Sequence, residues 1–198
     1  MNNRKVYISG EIVPEVDAKI SIFDSAVLLG DTVTESTRTF NFKPFKLDEH
    51  LERLYKSFKL TRIDPQMTIE EMKKVSLELL EINKDNYKAN EDCWLVHNIS
   101  RGHSITGGNP ALQVSKPTVM IYTQPMNLVL WAPFYTKGCH AVTPPTRMVP
   151  SQSLDARIKN RSRLFYTLAE IEAKLVDPDA QSVILDIHGN VAENKGGN

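Results

Sequence analysis

Apolar and polar residues alternate along much of this chain in short runs that predict β-strands. Near the N-terminus the pattern predicts strands at residues 5–9 and 11–14, joined at Gly10, and a longer strand at residues 32–40. Four later segments also predict strands: residues 94–100 and 118–123 are typical of buried strands, residues 139–143 have strand character, and residues 181–187 form an apolar strand.

Three other segments repeat their apolar residues at the spacing of an amphipathic helix. The first is expected to begin at Asp48, an N-cap residue type, and to bury Leu51, Leu54 and Phe58. Pro65 and Thr68 introduce the second, with this apolar stripe: Ile69, Met72, Val75, Leu79 and Ile82. The third covers residues 163–175, and four residues are expected to face inward: Leu164, Leu168, Ile171 and Leu175.

Strands mixed with helices in this order predict an α/β (α+β) fold. Residues 124–135 carry Pro125 and Pro133, so they are expected to connect two lobes. The predicted division is a small N-terminal lobe at 1–123, the connection at 124–135, and a second lobe beginning at 136. Residues 136–198 are expected to form only the start of that second lobe.

Composition excludes several classes of function. The 24 basic and 24 acidic side chains cancel, which argues against a nucleic-acid partner or an anionic membrane surface. No segment is apolar enough to span a membrane and no signal-type segment opens the chain, so a cytoplasmic protein is expected. Cys93 and Cys139 lack the spacing of a metal site, and no metal is expected.

Lys159 is the residue with the most informative surroundings. It lies among three arginines, Arg157, Arg161 and Arg163, and cationic neighbours favour the neutral, nucleophilic form of an amine. Glu193 follows the last predicted strand and a turn. A lysine that forms a Schiff base and a carboxylate that holds a pyridinium nitrogen are what pyridoxal phosphate requires. Lysine and glutamate are common on protein surfaces, so the two residues alone are weak evidence for such a site. The motifs around them are the stronger evidence.

Five motifs resemble those of the class IV (fold-type IV) pyridoxal-phosphate aminotransferases. They occur in the order of that family, at residues 28–38, 47–54, 100–102, 154–164 and 189–194. The resemblance implies the two-lobed fold of the family and a homodimer. Members usually continue well beyond the position of Asn198, so the chain is expected to be truncated within the larger, cofactor-binding lobe.

The same resemblance implies roles for three residues in binding pyridoxal 5'-phosphate. Lys159 would form the Schiff base and shuttle the proton during the reaction. Glu193 would hold the ring nitrogen, and Arg53, on the first helix, would bind the phosphate. The planar fork of a guanidinium suits such a dianion.

Candidate substrate-binding residues lie on the third strand and on a loop. Thr34, Ser36 and Arg38 alternate along the strand, so they share one strand face. By the resemblance, Arg38 corresponds to a residue that helps to hold the substrate carboxylate in branched-chain enzymes. Family members often have an aromatic residue at Thr34 and glycine at Ser36. Arg101 belongs to a Ser-Arg-Gly motif and has either a substrate role or a structural one.

A further departure from the family pattern follows Lys159, the candidate catalytic lysine. Branched-chain enzymes commonly carry Asn-Tyr where this chain has Arg163 and Leu164, with the tyrosine near the phenolic oxygen of the cofactor. Tyr166 lies two positions later, out of place for that role, and is expected to pack within its helix.

The resulting prediction is transamination between an amino acid and a 2-oxo acid such as 2-oxoglutarate, with branched-chain substrates favoured. Alternatives within the family are a D-amino acid or (R)-amine transaminase and aminodeoxychorismate lyase, which uses the same lysine to eliminate pyruvate. An alternative of another kind is an inactive, truncated fragment.

Overall fold

The computed structural model of the chain describes residues 3–88, 91–103 and 116–196. They form two compact units. Unit 1 comprises Met1–Met126 and Ile158–Ser162, and unit 2 comprises Asn127–Arg157 and Arg163–Asn198. Residues 158–162, which the sequence-based division put in the second lobe, pack with unit 1. The predicted lobe boundaries themselves stay a prediction.

Unit 1 is built on a six-stranded sheet in the order β2-β1-β6-β5-β3-β4, and each neighbouring pair is antiparallel. Its strands are β1 (Lys5–Ile8), β2 (Glu11–Pro14), β3 (Thr32–Phe40), β4 (Lys43–Pro44), β5 (Cys93–Ser100) and β6 (Thr118–Pro125). Strands β2 and β3 have the predicted bounds, β1 ends one residue earlier than expected, and β5 and β6 are slightly longer. The short strand β4 was not predicted. Ser9 and Gly10 adopt positive φ angles between β1 and β2, as a tight turn requires.

Helices α2 (Leu47–Thr61) and α3 (Ile69–Asn83) cover one face of this sheet and supply much of the core. The core contains the predicted residues Leu51, Leu54 and Phe58 of α2. The stripe of α3 differs from the prediction, because Ile82 is exposed whereas Ser76, Leu80 and Asn83 are buried. Asn83 is accommodated because its amide bonds to both backbone groups of Lys5.

The two helices begin differently. Thr68 caps α3 with a complete capping box: its hydroxyl accepts from the Glu71 amide, and the Glu71 carboxylate accepts from the Thr68 amide. Helix α2 starts one residue before Asp48, after Lys46 in a left-handed conformation. The prediction of Asp48 as the N-cap was therefore wrong. Its carboxylate lies in the first turn, where it complements the helix dipole.

A short helix, α1 (Ser25–Leu28), precedes β3 and is anchored by Asp24. The carboxylate of Asp24 is buried and accepts hydrogen bonds from the Ala26 amide and from the hydroxyls of Ser100 and Thr118. These bonds fix the segment that leads into β3 against the ends of β5 and β6.

Unit 2 contains a three-stranded sheet in the order β7-β8-β9. Strand β8 (Gln181–Leu185) pairs in parallel with β7 (Ala141–Val142) and antiparallel with β9 (Val191–Asn194). The turn before β9 is closed by Asp186, whose carboxylate accepts from the amides of His188 and Asn190. A short helix, α4 (Phe134–Lys137), lies in the first part of this unit.

Helix α5 (Leu164–Val176) packs on this sheet by a face that the sequence did not predict. Its buried residues are Tyr166, Ala169 and Ala173, whereas the four residues expected to face inward are exposed: Leu164, Leu168, Ile171 and Leu175. The small alanines let the helix backbone approach the sheet closely, while Tyr166 fills the space beside Ile184.

Candidate active site

Arg53 lies on α2 and faces β3. Its Nε and Nη2 atoms donate to the two carboxylate oxygens of Glu35, each at 2.7 Å. The Glu35 side chain is fully buried, whereas that of Arg53 is 51% exposed. The guanidinium is thus held along one edge, and no hydrogen bond from Nη1 is found among the described residues.

Three donors stabilise the Glu35 carboxylate inside the protein. Besides Arg53, the His50 imidazole lies 3.0 Å from Oε1 and the Ser36 amide donates to the same oxygen at 2.9 Å. Burial alone raises the pKa of Glu35, but the hydrogen bonds from His50, Arg53 and Ser36 outweigh it and hold that pKa at about 2. Glu35 is therefore an anion, and it fixes the direction of the Arg53 side chain.

Lys159 lies beside β3, within unit 1. Its carbonyl accepts from the Thr34 amide at 2.8 Å, and the Arg161 amide donates to the Thr32 carbonyl at 2.9 Å. These two bonds make an isolated antiparallel bridge between Val33 and Asn160. The segment with the candidate lysine is thereby hydrogen-bonded to the strand with the candidate substrate residues.

A further contact ties Lys159 to α2. The Lys159 amide donates to the Ser57 hydroxyl at 3.3 Å, and that hydroxyl donates to the Arg53 carbonyl one turn earlier. The Lys159 segment and α2, which carries Arg53, therefore both contact the part of β3 around Thr34 and Glu35.

The substrate candidates on β3 differ in how open they are. The register pairs Thr34 with Asn98 and Arg38 with Trp94, so the alternate residues 34, 36 and 38 share one face. Thr34 is buried and its hydroxyl already donates to the His97 carbonyl, which disfavours a direct substrate contact. Ser36 and Arg38 are half-buried, and the Arg38 guanidinium stacks 3.8 Å from the centre of the Phe40 ring.

The Arg101 side chain bonds to neighbouring groups of the protein. It forms an ion pair with Asp31 at 2.8 Å and donates to the carbonyls of Thr61 and Arg62 at the end of α2. A guanidinium that satisfies the last carbonyls of a helix stabilises that helix end. Of the two roles considered for Arg101, the structural one is favoured by this geometry.

Glu193 lies on β9 and has a partner that the sequence did not suggest. The Tyr166 hydroxyl donates to Glu193 Oε2 at 2.7 Å. The expectation that Tyr166 only packs within its helix was therefore incomplete. Tyr166 and Glu193 belong to different motifs, and nothing in either motif pairs them.

Arg161 is a second residue without an assigned role. It lines a cavity of about 180 Å³ with Gly30, Thr32 and Asn98, among others. Within the described residues, no carboxylate forms an ion pair with Arg161. The sequence offered one indication of a role for Arg161, its position two residues after Lys159. It did not distinguish Arg161 from the other arginines of the same basic segment.

The described part of the chain holds no cluster of three or more metal-ligating side chains. No helix within residues 3–88, 91–103 and 116–196 is long and apolar enough to cross a membrane.

Comparison with known proteins places the chain in a family. The family model described as amino-transferase class IV matches residues 32–198. A branched-chain-amino-acid aminotransferase candidate of Methanocaldococcus jannaschii is 36% identical over 194 residues, covering 98% of this chain and 64% of its own length. A D-alanine aminotransferase of Staphylococcus epidermidis is 32% identical over 120 residues, or 61% of this chain and 41% of its own.

The fold matches solved structures over almost all of the chain. A branched-chain aminotransferase from the thermophilic archaeon Thermoproteus uzoniensis, solved with norvaline, superposes with a TM-score of 0.78 at 25% identity, covering 98% of this chain and 63% of that one. A branched-chain amino acid aminotransferase solved with pyridoxamine 5'-phosphate superposes with a TM-score of 0.85, also at 25% identity and with the same coverage. The present chain thus spans slightly less than two thirds of the length of these relatives. The matched family model and the similar relatives establish that the chain belongs to the class IV aminotransferase family.

Proposed function

We propose that the protein to which this chain belongs catalyses pyridoxal-phosphate-dependent transamination between an amino acid and a 2-oxo acid. One observation carries the proposal. The Lys159 segment is hydrogen-bonded both to β3, at Thr34, and to α2, at Ser57, one turn from Arg53. The Lys159 backbone is thus tied to α2 one helical turn from Arg53, whose guanidinium is suited to a phosphate.

The residues present fit this cofactor. Arg53 has one edge fixed by Glu35 and a half-exposed side chain, so its other edge can meet a phosphate dianion. Glu193 is half-buried, and its Oε1 takes no hydrogen bond from any described residue. A carboxylate of this kind can accept a hydrogen bond from a protonated ring nitrogen.

Each residue would have a distinct task. Pyridoxal phosphate, when bound, supplies an electron sink for the pair of electrons left at the substrate α-carbon. Lys159 would hold the cofactor through its ε-amine and then move the proton at the α-carbon. Arg53 would fix the phosphate, and Glu193 would keep the ring nitrogen protonated.

For the substrate, we favour a branched-chain amino acid, with 2-oxoglutarate as one acceptor. The relatives with branched-chain names and the neighbouring structures support this choice. Arg38 remains the proposed carboxylate ligand, with Ser36 beside it. Arg161 is a second candidate cation, because it lines a cavity and its backbone is bonded to Thr32.

A D-amino acid substrate is the second candidate, since D-alanine aminotransferases are among the relatives. Aminodeoxychorismate lyase and (R)-amine transaminase activity stay open as family alternatives. If these 198 residues do not form a functional cofactor site, the alternative is that the chain is an inactive fragment. A homodimer in the cytoplasm is proposed from the family resemblance and is tested by sedimentation and by cell fractionation.

The experiment is borohydride reduction of the purified chain with pyridoxal phosphate, followed by peptide mapping. A stable pyridoxyl adduct confined to Lys159 is expected. The Lys159→Arg variant should lose it, whereas the control Lys56→Arg, on an exposed part of α2, should keep it. Labelling scattered over many lysines, or no labelling, would contradict a functional cofactor site and favour the fragment.

Substrate choice is then settled by assay of the cofactor-loaded protein with L-leucine, D-alanine and (R)-amines, each with a 2-oxo acid. Release of pyruvate from aminodeoxychorismate, with no amino acceptor added, would identify the lyase instead. Transfer from L-leucine is the expected result.

A further inference from the structure

Tyr166 lies on the buried face of α5, in contact with the strand pair that carries Glu193. Its side chain is 4% exposed and packs in a cluster with Ala169 and Ile184. From this fixed position the hydroxyl reaches Glu193 Oε2 at 2.7 Å, within the range of a hydrogen bond to a charged acceptor.

The surroundings keep Tyr166 protonated, and hence a donor. Burial raises the pKa of its hydroxyl, and the hydrogen bond to Glu193 raises it further, to about 12. The Arg163 guanidinium lies 4.6 Å from the ring centre and acts weakly in the opposite direction. The hydroxyl therefore carries its proton throughout the neutral pH range.

The geometry points to Tyr166 as a positioning residue for Glu193. It holds one carboxylate oxygen at a fixed place, so that Oε1 remains to accept from the ring nitrogen of pyridoxal phosphate. This inference rests on the proposed function, because it assigns a task to Glu193 that only a bound cofactor requires.

Two features make this more than a stray contact. A carboxylate on an edge strand such as β9 can rotate freely unless another group restrains it, and the hydrogen bond from Tyr166 supplies that restraint within unit 2. The donor is also neutral, so it does not itself neutralise the carboxylate as a guanidinium would. A carboxylate that is held in place without a cationic partner of its own is what a ligand of a pyridinium nitrogen needs.

The contact is tested first without the cofactor. Tyrosinate absorbance is measured between about pH 9 and 11, where ordinary tyrosines ionise, and the spectrum of Tyr166→Phe is subtracted to isolate Tyr166. Glu193→Gln is expected to increase the ionisation of Tyr166 in this window, since the negative partner is gone. Equal ionisation in both proteins would overturn the contact.

The role is tested by the affinity for pyridoxal phosphate, measured by titration of tryptophan fluorescence in the same chain. Tyr166→Phe keeps the ring that packs in the cluster, and it should weaken binding about tenfold, as expected for loss of a hydrogen bond to a charged group. The double variant Tyr166→Phe/Glu193→Gln should bind no more weakly than Glu193→Gln alone.

Tyr55→Phe is the matched control. Its hydroxyl also donates from a partly buried position, to the Met67 carbonyl at 2.8 Å, but Tyr55 belongs to unit 1 whereas Glu193 belongs to unit 2. This variant should bind the cofactor with unchanged affinity.

The outcomes separate the two proposals. If Glu193→Gln weakens binding but Tyr166→Phe does not, or if the two effects simply add, the positioning role is overturned and the proposed function stands. If Glu193→Gln leaves the affinity unchanged, or the parent chain does not bind pyridoxal phosphate, the cofactor site proposed for this chain fails and the positioning role fails with it.

Discussion

Arg53 is bonded through both Nε and Nη2 to the fully buried carboxylate of Glu35, with two distances of 2.7 Å. The pair joins α2 to β3 and leaves the opposite edge of the guanidinium unbonded among the described residues. Glu35 therefore determines where Arg53 can present its charge. Such a pair has consequences for stability as well as for anion binding.

Replacement of Arg53 by alanine should destabilise the chain. It leaves the Glu35 carboxylate buried with His50 and the Ser36 amide as its remaining partners. A loss of about 3 kcal/mol is expected, at the low end of the cost of breaking a buried ion pair, because the Arg53 side chain is half exposed. Urea unfolding measures it.

Arg157→Ala is the control for this prediction. Arg157 also forms a close ion pair, with Asp155, but its side chain is exposed to solvent. Its loss should leave stability unchanged within error. Equal effects of the two variants would contradict the special role of the buried pair.

Stability should fall as the medium becomes acidic, in two stages. His97 is fully buried, which lowers its pKa from 6.5 to about 4, so the unfolded chain takes up a proton between these values that the folded chain refuses. Glu35 has its pKa lowered from 4.5 to about 2 by its hydrogen bonds, and its contribution is present above pH 4.5 and lost toward pH 2. Unfolding free energies measured from pH 7 to 3 should show both stages.

The first stage is assigned to His97 by substitution. His97→Gln can keep a hydrogen bond to the Ser76 hydroxyl, which lies 2.8 Å from the imidazole Nε2. It should flatten the decline of stability between about pH 6.5 and 4. His140→Gln, at an exposed site, should retain the full slope, and a slope unaffected by His97→Gln would refute the assignment.

Arg101→Ala should lower the free energy of unfolding. Removal of its guanidinium leaves the carbonyls of Thr61 and Arg62 without this donor and Asp31 without its ion pair. We expect a loss of about 2 kcal/mol in urea unfolding, in line with hydrogen bonds from a charged donor. Arg101→Lys should recover little, since an ammonium cannot span these acceptors. Full stability in both variants would instead leave Arg101 available for substrate.

The orientation of α5 gives a direct test of which face is buried. Ala169→Leu adds volume where the helix meets the sheet and should cost about 2 kcal/mol. Leu175→Gln alters a side chain that is 82% exposed and should change stability by less than about 0.5 kcal/mol. Thermal unfolding measures both effects. A larger loss for Leu175→Gln than for Ala169→Leu would mean that the buried face of α5 is the one that the leucine spacing predicts.

Much of the local structure follows from local patterns. Strands β2 and β3 begin and end where the apolar alternation places them, and Thr68 caps α3 with Glu71 three residues later, as the sequence spacing allows. Such features depend on residues within one or two turns of each other, so the sequence is sufficient to predict them.

The leucine stripe of α5 shows where this reasoning stops. Leu164, Leu168, Ile171 and Leu175 have the right period for a helix, and a helix is found. A period does not say which face meets the sheet, because small residues on another face can permit a closer approach. Here Ala169 and Ala173 take that position.

The sequence by itself determined the order of most strands and helices and the family of the chain, and it predicted candidates for the amine, the phosphate ligand and the ring-nitrogen ligand. Only the tertiary structure decided their partners: Glu35 for Arg53, Thr34 and Ser57 for Lys159, Tyr166 for Glu193. The physical reason is that hydrogen bonds between residues distant along the chain depend on how whole strands and helices pack. Local periodicity carries no record of that packing.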